Sequence, residues 1–138
     1  MKIITLLFSF SLLIITPSVL AGGAVIVHPS NNIMLSDHDL ARLFLGKLKT
    51  FEHGAKAMVI NLKFGHDVRT EFEQKILKKT SSQIKAYWSK RIFSGKGKPP
   101  KEVAAEHDII SLVAKNVDAI AYVEASSVTD AVKVIKHF

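Results

Sequence analysis

The run Ala57-Met58-Val59-Ile60 is apolar without a break. A strand with one face in water alternates apolar and polar residues, so an uninterrupted run is the mark of a strand buried on both faces of a sheet. Ala24 to His28, "AVIVH", has the same character, is rich in β-branched residues, and is punctuated by Pro29-Ser30-Asn31-Asn32. Ala119 to Val123 reads as a further strand and Val132 to Ile135 as a last one, although Ala131 to Phe138 also fits a closing helix.

Helical spacing fills the intervals. Ser36 stands three residues before Asp39 and just ahead of Leu40, Leu43 and Phe44, so its hydroxyl can cap free amides while Asp37 and Asp39 suit the helix's positive end. Gly46 ends that helix. Lys47 to Gly54 is a polar loop. Val68, Phe72, Ile76 and Leu77 recur at helical spacing, and Ile84, Tyr87, Trp88 and Ile92 form the stripe of a second helix. Phe93 to Lys101, "FSGKGKPPK", is a basic loop, broken by two glycines and two adjacent prolines. A third helix is expected from about Lys101 to Lys115, with Val103, Ile110, Val113 and Ala114 inward. Strands separated by helices, with runs too continuous for a one-faced sheet, predict a three-layer α/β domain: a mixed sheet flanked by helices.

Met1 to Ala21 is unlike the rest. Lys2 precedes an apolar stretch from Ile3 to Leu20, and Val19-Leu20-Ala21 has the small-residue form of a cleavage site. This is the pattern of a secretory signal peptide; an uncleaved membrane anchor is the competing reading, and Pro17, Ala21 and Gly22-Gly23 favour cleavage. Residues 22–138 then form one domain of 117 residues, with 18 Lys and Arg against 12 Asp and Glu, a formal charge of +6. The chain has no cysteine, so neither a lipid anchor nor a disulfide is available and the fold depends on apolar burial. For a basic exported protein nucleic acid is out of reach as a partner. Anionic small molecules, lipid headgroups and acidic protein surfaces remain.

No catalytic signature is spelled out. No serine sits in a Gly-x-Ser-x-Gly elbow, and the six histidines are scattered without a His-Glu-x-x-His pair. Asp37-His38-Asp39 and Glu106-His107-Asp108 are consecutive residues whose side chains diverge on a helix. Neither an enzyme, a metal nor a cofactor is expected.

The segment "NLKFGHDVRTEFE", Asn61 to Glu73, is where geometry and chemistry agree. A buried strand ends, Gly65 turns the chain, and a helix begins near Asp67 or Val68. Free N–H groups at such a helix start favour an anion, and Arg69, with Lys63 close by, can add charge-assisted hydrogen bonds. Alternatively Asp67 supplies the negative charge itself as an ordinary N-cap.

The stretch "LARLFLGKLKTFEHGAKAMVINL" followed by "GHDVRTEFEQKIL" resembles the substrate-binding proteins of phosphate ABC importers, as do "AYWSKRIFSGKGKPP" and "VDAIAYVEAS". The likeness runs from about Ala24 to Ser126. It implies a type 2 periplasmic-binding-protein lobe, periplasmic location in a Gram-negative cell, and phosphate or a similar oxyanion as ligand. Gly65 and Arg69 match the glycine and arginine of the family's Gly-Ser-Gly-Thr-Arg loop, while His66, Asp67 and Val68 stand at its Ser, Gly and Thr. Gly65, His66, Asp67, Val68 and Arg69 are thus the candidate ligand-binding residues. Two-lobed receptors close a cleft and need about twice this length. A homodimer would rebuild one; otherwise the lobe serves as an interaction module, docking on an ABC permease or an envelope sensor with Lys96, Lys98 and Lys101 as candidate contacts.

Overall fold

The computed structural model describes residues 22–138; the leader expected at Met1 to Ala21 lies outside them. Gly23–Val27 and residues 119–123 are strand buried on both sides, whereas in Met58–Leu62 the first two residues are half-buried and burial is complete only from Ile60. The chain order is β1 (Gly23–Val27), α1 (Asp37–Phe44), β2 (Met58–Leu62), α2 (Asp67–Lys75), α3 (Ser81–Phe93), β3 (Lys101–Val103), α4 (Glu106–Lys115), β4 (Ala119–Glu124), a 3-10 turn (Ala125–Ser127) and β5 (Lys133–His137). One sheet of five strands has the spatial order β3-β2-β4-β1-β5. β2 runs parallel to β3 and β4, while β1 is antiparallel to β4 and β5.

That order decides where the helices lie. From β2 the chain crosses through α2 and α3 to β3 on one side, then returns through α4 to β4 on the other. Crossovers between parallel strands are right-handed, so reversing direction puts α4 on the face opposite α2 and α3. The result is three layers. On the α2 face Tyr122 of β4 stacks on Phe72 with ring centroids 4.1 Å apart, and Phe44 of α1 meets Phe72 edge-on at 4.7 Å. Alternation turns Ala119, Ala121 and Val123 to the other face, where α4 buries Ile109 and Val113.

The first described strand meets the C-terminal residue at the β1–β5 seam. Phe138 exchanges both backbone hydrogen bonds with Gly23, at 3.1 and 3.0 Å, and lays its ring against Phe72 at 5.3 Å. Gly23 is required there because the ring of Phe138 fills the space: a Cβ on Gly23 would stand 2.0 Å from its Cζ.

Several expectations are corrected. Lys101–Val103 is a strand, and α4 begins only at Glu106; a three-residue strand is too short to show a period, whereas Glu106 and Asp108 already marked the acidic first turn of the helix. Val103 therefore packs from the sheet, and Ile109, rather than Ala114, joins Val113 as a fully buried residue of α4. Ile92 is 55% exposed and lies off the buried stripe of α3. The loop is shorter than expected at both ends, because Phe93 is still helical and Lys101 is already strand. β2 runs on to Leu62, while the last strand expected at Val132 to Ile135 is present, shifted to Lys133–His137, in place of the alternative helix.

Gly23→Ala is expected to displace the Phe138 ring and cost about 1–3 kcal/mol. Denaturant unfolding of the two proteins measures it, and an unchanged midpoint would mean the C-terminal ring contributes little.

Candidate functional site

β2 ends at Leu62, Gly65 turns the chain with φ +89 and no neighbour where a Cβ would go, and α2 starts at Asp67. His66 is the N-cap and its side chain makes no capping hydrogen bond. Asp67 is the first helical residue and is exposed, so the expectation that it caps the helix is corrected. Val68 faces the core at 3% exposure.

Arg69 is buried at 2% exposure. Its Nε donates to Glu73 Oε1 at 2.8 Å and one terminal nitrogen donates to the Leu62 carbonyl at 2.6 Å, with Glu102 Oε1 3.2 Å from the same nitrogen. The Phe64 ring roofs the guanidinium at 3.4 Å. Glu73 in turn accepts from the Ser81 hydroxyl at 2.6 Å, which joins α2 to the start of α3. One cation is therefore met by two carboxylates of its own chain. Glu102 reaches it because β3 pairs in register with β2, Asn61 opposite Glu102.

Beside this network, the buried Tyr122 hydroxyl donates to Asn61 Oδ1 at 2.8 Å. Burial pushes the phenol well above its ordinary range, while the nearby Arg69 charge acts in the opposite sense.

The open space lies elsewhere. β2 and β3 are adjacent and parallel, and the helices that follow them leave on opposite faces, so their carboxyl ends form a topological switch point where α/β sheets present a crevice. A cavity of about 550 Å³ occurs there, lined by His66, Ala105, Glu106, His107, Ser127 and Thr129 among others. Neither helix that starts at it is capped by a side chain: α2 has His66 and α4 has Ala105. By contrast α1 is capped by Ser36, and α3 by a reciprocal Thr80–Gln83 box. Glu106 bends back so that its carboxylate accepts from the Glu124 amide at 2.6 Å and from the Ser127 hydroxyl. His66 Nδ1 is buried without a partner.

Of the five residues expected to hold a ligand, then, His66 lines the crevice, Gly65 shapes the turn beside it, and Asp67 lies at its helix start. Val68 and Arg69 point into the protein. Lys96, Lys98 and Lys101 line a different groove, at the opposite end of β2. Sequence reasoning missed Glu73, Glu102, Glu106, Ser127 and Thr129. The Arg69–Glu73 spacing of four was a readable signal.

No protein-family model and no curated protein matches the chain. Solved structures do. An ABC-type phosphate transport receptor from Vibrio cholerae superposes with TM-score 0.66 at 18% identity, over 84% of this chain and 46% of that one. A protein from Clostridium perfringens described as a phosphate ABC transporter substrate-binding protein, with bound phosphate, gives 0.65 at 22% identity, over 84% and 44%. PstS from Borrelia burgdorferi gives 0.62 at 13%, over 83% and 46%. The chain thus has the periplasmic-binding-protein fold of these phosphate receptors, and it spans less than half of their length.

Arg69→Met leaves two carboxylates without their cation and is expected to cost about 3–5 kcal/mol in urea unfolding; a loss under about 1 kcal/mol would mean the network is dispensable. Because the Tyr122 phenol is raised in the folded state, its contribution is complete below the ordinary phenol value of about 10 and fades as pH rises beyond it. The alkaline fall in stability should be smaller in Tyr122→Phe than in the wild type, although the variant starts about 1–3 kcal/mol lower from the unpaired Asn61. Parallel pH curves for the two proteins would remove Tyr122 from the explanation.

Proposed function

We propose that the protein is an exported single-lobe receptor module that binds phosphate or a close oxyanion in the crevice between the starts of α2 and α4, in ABC-type uptake or sensing. The observation that carries this reading is the contrast in capping: the two helix starts that converge on one cavity are left without side-chain caps, while α1 and α3 are capped internally. Free backbone N–H groups at two helix starts suit an oxyanion. The bound phosphate of the similar Clostridium protein agrees in ligand class.

The residue roles differ from a simple loop match. The amides of the first turn of α2 and the side chains of His66 and Thr129 are the donors available to a ligand, the Ser127 hydroxyl being spent on Glu106. Arg69 acts as a positioning residue, holding the end of β2 through the Leu62 carbonyl. Asp67 and Glu106 bring negative charge to the rim and weaken binding. Within this lobe the crevice is open to water, so millimolar affinity is expected of it. An ABC permease is the fitting partner for uptake, and a second copy of the lobe facing the crevice would close it.

A second reading, a non-transporting interaction module built on a degenerate lobe, is favoured by one observation: the arginine's charge is already consumed by Glu73 and Glu102.

Amide NMR titration of residues 22–138 with phosphate and with sulfate separates the two. Saturable shifts at His66 to Arg69 and at Glu106 to His107 are expected, tightening several-fold in Asp67→Gly as one repelling charge is removed. A folded protein whose amides stay unmoved at high millimolar phosphate would abandon oxyanion binding in favour of the module.

A further inference from the structure

At the other end of β2 lies a groove of about 400 Å³ whose chemistry is unlike that of the crevice. Met58, Val59 and Trp88 give it an apolar floor. Six cations, Lys49, Lys56, Arg91, Lys96, Lys98 and Lys101, surround that floor, and no Asp or Glu lines it. None of the six takes part in an ion pair among the described residues. Arg91 spends a terminal nitrogen on the Lys96 carbonyl at 3.1 Å, and its Nε is buried without a partner.

Six like charges around one apolar depression repel each other in the free protein, and that repulsion turns into attraction when an acidic partner arrives. We infer that this groove docks an acidic polypeptide segment with apolar side chains, the apolar groups seated on Met58, Val59 and Trp88 and the carboxylates on the lysine rim. Charge complementarity selects the occupant. Inorganic phosphate has nothing to set on the apolar floor, and a single carboxylate head group answers one cation of six. A bilayer is flat where this surface is concave, and the feature suited to a bilayer, the 97% exposed Phe93, is absent from the groove lining. The inference concerns a surface remote from the crevice and stands whether or not an anion binds there.

Trp88 is the only tryptophan of the chain, so its emission reports the groove directly. The probe is a synthetic peptide alternating glutamate and leucine, with a glutamate–serine peptide, phosphatidylglycerol vesicles and inorganic phosphate as comparisons. The alternating peptide should shift Trp88 emission saturably, and binding should weaken as salt rises and at least about fivefold in Lys56→Glu and Lys98→Glu. The serine peptide should bind several-fold more weakly, phosphate should leave Trp88 unmoved, and Phe93→Ser should bind like the wild type. Absence of a Trp88 response to the peptide, undiminished binding in both charge-reversed variants with circular dichroism unchanged, or a vesicle response lost in Phe93→Ser would overturn the inference. The last would assign the basic surface to a membrane instead.

Discussion

A buried guanidinium must be satisfied from several sides at once, and the placing of Arg69 ties together pieces that are distant in sequence. It requires the carbonyl at the end of β2, a carboxylate one helical turn on, a second carboxylate from β3 and an aromatic roof from the turn between β2 and α2. Ser81 extends the chain of contacts to α3. A buried pair of this kind adds little stability relative to apolar packing, but removing one member is expensive. Its value lies in register: β3 has to pair so that Glu102 stands opposite Asn61, and α2 has to leave β2 at an angle that brings Glu73 beneath Arg69. The short edge strand, with three residues, is thereby anchored by charge as well as by its ladder.

The two ends of β2 are chemically opposed. At the carboxyl end, Asp67, Glu106 and Asp108 balance the positive ends of two helices, and the space between is polar and small-featured. At the amino end, lysines gather around a recessed apolar floor without acidic partners. The formal charge of +6 on residues 22–138 is thus unevenly spread rather than a uniform aid to solubility.

Most of the architecture was legible in the residues because continuous apolar runs mark the strands of such a sheet: "AVIVH", "AMVI" and "AIAYV" each fall in a strand except for His28 and Ala57, and Ser36 and Gly46 bounded α1 as their chemistry requires. What escaped was β3. Lys101-Glu102-Val103 has no period and follows two prolines, so nothing local distinguishes it from the start of a helix; its identity comes from pairing with β2. That miss carried over to the site. With Glu102 assigned to a helix, Arg69 had no second carboxylate and stood free to meet an outside anion. The exposed Ile92 was misplaced for a related reason, since helical spacing says which residues share a stripe but not where the stripe leaves the core.

The arginine's inward turn is intelligible from the geometry of this lobe. A guanidinium at an open crevice is solvated and weak, and one buried without partners is costly. Drawing Arg69 against Glu73 and Glu102 under Phe64 removes that conflict within one lobe. The cost is that any anion at the crevice must be held by backbone amides and neutral side chains, which bind a charge less tightly than a guanidinium does. The interaction that fixes the register of β3 and the exit of α2 is thus the same one that limits how strongly this lobe can hold an anion.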